Sequence, residues 1–294
     1  MAGAGLDHIV HAVRDLDAAA ALYKRLGFQV GARNRHPSNW GTQNHIVQLP
    51  GTFIELLAVA ETTGIAPQES RRFSFGAFNR DFLMRGEGLS MLVLEGHVED
   101  AERFAAGGIG DFEPYYFERE GKRPDGTRVK VAFTLAFARD NKAPDIGFFT
   151  CRQHYPDNFW NPAFQSHANG AVAVAAVVLV ANDLAQHRKF LTVFTGSDEW
   201  EEKGSGLVLT TPRGAIELVT PGEYSRRCDV TPPDITTSSR LAAIRFRVED
   251  LTTIRAIFAT SKIAHQSLGD RIVIDAETAL GAALVFESIN PSDR

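Results

Sequence analysis

Cysteine is scarce in this 294-residue sequence, with only Cys151 and Cys228. Two isolated cysteines make neither a disulfide framework nor a CxxC metal motif. Long apolar runs are missing too. The longest, residues 171–181, is strand-sized, short of the roughly 18 residues that cross a bilayer. The opening MAGAGLDHIV has no basic segment ahead of an apolar core, so no secretory signal is read there. These absences point to a reduced, cytoplasmic protein with no membrane partner. An excess of positive charge is also missing. The net charge of −5 argues against a general nucleic-acid binder. GxSxG, a P-loop, a Rossmann fingerprint and HExxH do not occur. What remains is ordinary globular composition, 44% hydrophobic and 23% charged.

The chain repeats itself. LDHIVHAVRDLDAAAALYKRLGF, residues 6–28, reads as a strand, a turn and a helix capped by Asp15 and stopped at Gly27. Residues 176–196 repeat that plan with Asp183 at the cap, and residues 242–263 with Asp250. Residues 89–109 are a looser copy, in which Gly107 and Gly108 end the helix. Further strands follow each copy: near 29–33, 45–49 and 52–57 in the first, and near 115–118, 128–138 and 146–152 in the second. The unit is β-α-β-β-β, present four times, at residues 6–59, 88–152, 168–222 and 238–290. One unit cannot close a core alone, so the expected fold is α+β with the modules paired. Residues 1–160 form the first pair and 161–294 the second. Residues 66–87 should be partly helical. HYPDNFWNPAFQSHANG, residues 154–170, should be an ordered connection.

Tandem βαβββ modules, the DHIV strand followed by DLDAA, and a closing IEL strand resemble the vicinal oxygen chelate superfamily. That group includes glyoxalase I, extradiol dioxygenases and bleomycin-resistance proteins. HPSNWGTQNHIVQLPGTFIELL, residues 36–57, is similar to its glyoxalase-like branch. The resemblance implies two paired, cup-shaped barrels. It implies metal ligands on the first and last strands of a module, here His8 and Glu55. The ion would be Zn²⁺, Fe²⁺, Mn²⁺ or Ni²⁺; a protein without metal is the alternative. His154, or else His36, would be a third ligand. Counted from the helix caps, His8 corresponds to Ser90, Ala176 and Ala243, so no other module opens with histidine.

Glu55 raises its own question, since a lone charge in an apolar strand is costly. It either meets a metal or pairs with Arg33, Arg35 or Arg152. His8 is either a ligand or a half-buried histidine bonded to backbone. Glu217 and Glu287 sit in similar strands without a histidine and read as ion-paired remnants, with Arg245 or Arg247 as partners. His36 and Glu55 are the candidate catalytic residues, His36 as base. Trp40, Thr42, Asn44 and Arg152 are candidate substrate contacts. His97, His187 and His265 read as surface residues, while His167 and Asn169 are placed to cap the return into the third module. The expected function is a metal-dependent lyase, isomerase or dioxygenase binding vicinal oxygens of a small metabolite. The rival is a non-catalytic binder of a small molecule. The second pair serves as scaffold or as the surface of a homodimer.

Overall fold

In the computed structural model the described residues are 3–123 and 125–289. Residues 1–2, 124 and 290–294, which the expected units include, lie outside them. The first module is β1 (Leu6–Ala12), α1 (Leu16–Arg25), β2 (Asn34–Arg35), β3 (Thr42–Leu49) and β4 (Thr52–Val59). Helix α2 (Phe75–Arg85) leads to β5 (Gly88–Glu95), α3 (Asp100–Ala106), β6 (Tyr115–Lys122), β7 (Arg128–Ala138) and β8 (Gly147–Gln153). The connection carries α4 (Pro156–Phe159) and a 3₁₀ turn, Pro162–Phe164. The third module is β9 (Ala171–Val180), α5 (Ala185–Thr195), β10 (Trp200–Lys203), β11 (Gly206–Thr210) and β12 (Ala215–Val219). After α6 (Pro221–Cys228) come β13 (Arg240–Val248), α7 (Leu251–Ser261), β14 (Gln266–Leu268), β15 (Arg271–Ile274) and β16 (Ala283–Ser288). The segment expected as a strand near 29–33 is not one, although Gly31 N–H bonds the Ile46 carbonyl, and its place is taken by the two-residue β2.

Local chemistry explains the repeat. Asp15 accepts hydrogen bonds from the backbone N–H groups of Asp17 and Ala18, and Asp250 from those of Thr252 and Thr253. Asp183 accepts from Ala185, one residue ahead of the α5 cap. Gly196 ends α5 at φ 70°, in the left-handed region that glycine tolerates.

In every module the first strand pairs in parallel with the last, which the intervening helix and strands make feasible. The first strands of neighbouring modules pair antiparallel, β1 with β5 and β9 with β13. Leu241 opposite Leu89 joins the two halves, giving one mixed sheet of 16 strands. The sheet is not closed, because β2 and β6 end their arms without pairing to each other. The barrels expected from the resemblance are therefore open.

The sheet has two working faces. Along β4, Ile54, Leu56 and Ala58 join a core shared with helices α1, α3, α5 and α7. Phe53, Glu55 and Leu57 alternate to the other face. There, in the first pair, an aromatic-rich cluster faces a cavity.

Candidate functional site

His8 owes its position to an irregularity in β1. The register against β5 shifts between Leu6 and His8, so Asp7 and His8 are both accommodated opposite a single stretch of β5. Asp7 Oδ1 lies 2.5 Å from His8 Nδ1. A carboxylate only accepts, so Nδ1 carries the hydrogen and Nε2 is left facing Glu55, 3.8 Å from its Oε2. The Gln153 amide donates to the other Asp7 oxygen at 3.0 Å. The His8 ring stacks on Phe53, with centroids 4.2 Å apart.

Glu55 is held from its second side. Asn44, next to the Ile46 position that pairs with Glu55, donates to Oε1 at 2.5 Å. The same amide group lies 3.2 Å from His36 Nε2. His36 Nδ1 meets Thr42 Oγ1 at 2.8 Å, and its Nε2 is 3.3 Å from Glu55 Oε1. Burial holds His36 below the ordinary imidazole value despite the raising influence of Glu55. A neutral ring that receives the Asn44 N–H through Nε2 donates from Nδ1 to Thr42. Two imidazole Nε2 atoms and one carboxylate thus converge on a cavity of about 50 Å³. Its walls include Trp40, Phe75, Phe117, Phe133, Phe149 and Phe159. Trp40 stacks on Phe75 at 4.4 Å. Cys151 also lines the cavity, but burial pushes its thiol well above the ordinary value, so it stays protonated.

The structure brings together His8, His36, Trp40, Thr42, Asn44 and Glu55. It does not bring Arg152 or His154 to them. Along β8, Phe149 and Cys151 face the cavity, so Thr150 between them and Arg152 after them face away, toward His97 and Thr134. His154 bonds Thr134 Oγ1 at 2.8 Å on that outer side. Arg33 pairs with Asp17 instead of Glu55, and neither Arg35 nor Arg152 forms an ion pair with Glu55 among the described residues. The cation that Glu55 does feel is Arg119 of β6, which shares the cavity wall. Neither Asp7 nor Arg119 stood out in the sequence. The only signal for Arg119 was its spacing two residues beyond Phe117, on the same face of a strand.

As donors, His8, His36 and Glu55 fit a divalent ion, and a carboxylate on Nδ1 is the arrangement that orients a ligating imidazole. They are not drawn into a ligand cluster. Among the described residues no three or more His, Cys, Asp or Glu are grouped to hold an ion.

The second pair answers the buried-carboxylate question differently. Arg245 bonds both Glu217 and Glu287, and Arg227 lies 3.4 Å from Glu217. Paired guanidinium neutralises those acids. Strand register also revises the equivalence read from the caps. Phe53 lies opposite His8, and Val285, likewise two residues before its glutamate, lies opposite Arg245. In the fourth module Arg245, and not Ala243, therefore occupies the His8 position.

Residues 6–194 match the family model described as a glyoxalase-like domain. No curated protein matches the sequence. Among solved structures, a hypothetical protein from Staphylococcus aureus is similar at TM-score 0.66 and 12% identity, covering 97% of this chain and 99% of that one. A triple mutant of 4-hydroxymandelate synthase from Streptomyces coelicolor is similar at TM-score 0.55 and 12% identity, covering 99% and 94%. At that identity the likeness is one of fold.

Proposed function

The chain belongs to the glyoxalase-like domain family, and on that premise we propose that it is a metal-dependent enzyme acting on vicinal oxygens of a small metabolite. The observation that carries this reading is the convergence of His8 Nε2, His36 Nε2 and the Glu55 carboxylate on one aromatic-walled cavity. A divalent ion held by His8 and Glu55, with His36 beside them, would supply Lewis-acid stabilisation of charge on the substrate oxygens. The protein's own groups do the rest. Asp7 fixes the tautomer of His8. Asn44 ties Glu55 to His36. His36, kept neutral by burial, has an Nε2 able to take a proton from carbon. The rings around the cavity limit water, which strengthens each charge interaction inside it.

A non-catalytic binder is the second reading. It is favoured by the absence of a ligand cluster among the described residues and by the Asn44 amide already on Glu55. Metal content by plasma emission spectrometry separates the two. The enzyme reading expects stoichiometric metal in the wild type, lost in both His8→Ala and Glu55→Ala. Metal-free protein after growth in supplemented medium, with both variants folded by circular dichroism, selects the binder. His36→Gln refines the result: metal retained with turnover abolished makes His36 the base, and metal lost makes it a ligand.

A further inference from the structure

A second chamber of about 160 Å³ adjoins the cavity, and Ile46, Arg119 and Phe159 line both. Its charge is one-sided. Arg119, Lys122 and Arg123 line it, together with Asn34, Gln48 and Asn158 but no aspartate or glutamate. Up to Glu120, strand β6 sorts its charges by face, with Lys122 at its exposed end. Glu118 and Glu120 alternate outward, where Lys130 and Arg128 of β7 pair with them. Arg119, between them, points inward with Phe117.

The three cations are poorly matched. Among the described residues none of them forms an ion pair. Among the described residues the Arg119 guanidinium donates to the Glu120 carbonyl, at 3.3 Å, and the Arg123 guanidinium to Asn158 Oδ1, at 2.8 Å. The acids in electrostatic reach are Asp125 at the hairpin tip, near Arg123, and Glu55 inside, near Arg119. A partly buried guanidinium without a carboxylate partner keeps donors in a planar fork suited to a two-oxygen anion. Three such charges around an acid-free chamber make a field that draws an organic anion inward.

We propose that this outer chamber is the subsite for the anionic end, carboxylate or phosphate ester, of the ligand whose oxygenated end reaches Glu55. The apolar middle of that ligand lies against Ile46 and Phe159, at the junction of the chambers. The proposal rests on the functional reading above only in taking the inner cavity as the ligand site. It needs neither metal nor turnover.

Titration calorimetry tests it on the full chain in chelator-treated buffer, with phenylacetate, phenyl phosphate and neutral 2-phenylethanol as probes. Anions should bind more tightly than the alcohol, and more weakly as salt rises. Arg119→Gln should weaken the anions about tenfold, a loss of about 1.4 kcal/mol, and leave the alcohol unchanged. Tighter binding of phenyl phosphate assigns a phosphate ester, and of phenylacetate a carboxylate. Because Arg119 is partly buried, the double variant Lys122→Gln/Arg123→Gln, at the exposed hairpin end, gives a second reading with little risk to folding. Equal binding of neutral and anionic probes, no binding of any probe, or anion affinity untouched in folded variants overturns the proposal. Anion binding without any metal uptake keeps this subsite and removes the enzyme. Metal uptake without anion preference does the reverse.

Discussion

Asp7 decides how His8 presents itself. Its carboxylate holds Nδ1, and Gln153 holds the carboxylate. Replacing Asp7 with Asn keeps an oxygen for the Nδ1–H but removes the charge that makes the imidazole more basic. Groups in this position typically change metal affinity by about 10- to 100-fold. We expect Asp7→Asn to weaken Zn²⁺ or Mn²⁺ binding by that factor in a calorimetric titration, with the circular dichroism spectrum unchanged. Undiminished affinity would mean that His8 is not a ligand. At this scale the sequence showed His8 and Glu55 as candidates, because of their places on the first and last strands of a module, and His36 and Asn44 because they sit in a polar loop suited to binding. It did not show Asp7, whose reach depends on a bulge created by the register of β5. Nor did it show that Arg152 and His154 point away, because a one-residue change of phase along β8 reverses the facing of every side chain.

At the scale of elements, the fate of His187 shows what a helix pattern leaves open. The residue reads as a polar position on α5, yet it is fully buried. Asp140, after β7, meets its Nδ1 at 2.6 Å, and Ser239, just before β13, meets its Nε2 at 3.0 Å. The order Asp–His–Ser follows a hydrolase triad in connectivity. Ser239 is itself buried and lines neither chamber, so the network serves as a clasp. It fastens α5 to segments from the modules on either side, and no single-segment pattern can foresee it. Among the described residues, His187→Ala would leave the Asp140 carboxylate with only the backbone N–H of Lys142 as partner. Stranding a buried carboxylate in this way costs about 3 kcal/mol. Urea unfolding should show a loss of that size with an unchanged slope. A loss below about 0.5 kcal/mol, the level of an ordinary surface change, would refute the clasp. His167 and Asn169, expected at the return into the third module, do lie there. His167 contacts the Gln29 N–H and the Gln48 carbonyl, and Asn169 donates to the Leu26 carbonyl.

For the molecule as a whole, the fourfold repeat was legible because caps, helix stops and apolar strands recur in one order. How the modules join was not, since the joints are contacts between distant segments. Two of these joints are histidines. His11 of β1 sits between Tyr23 Oη and the Leu280 carbonyl of the fourth module. His167 ties the central connection to the first module. Burial lowers both from the ordinary 6.5, against hydrogen bonds to carbonyls that raise them. A histidine whose folded value is depressed binds fewer protons when folded than when unfolded. Stability then rises with pH between the folded and unfolded values, by at most about 1.4 kcal/mol per pH unit for each group. Above 6.5 the penalty is absent, and it grows as pH falls toward the folded values. We therefore expect the unfolding free energy to be level from pH 8 to 7 and to decline from about pH 6.5 toward 5, above the range in which ordinary carboxylates titrate. His167→Gln keeps hydrogen-bonding capacity without a titrating ring. It should lower stability at pH 7 yet show a shallower decline on acidification than the wild type. Denaturant melts at half-unit pH steps give both slopes. A wild-type stability that holds or rises between pH 6.5 and 5, or a variant slope equal to the wild type's, would show that these joints are not where acid loosens the modules.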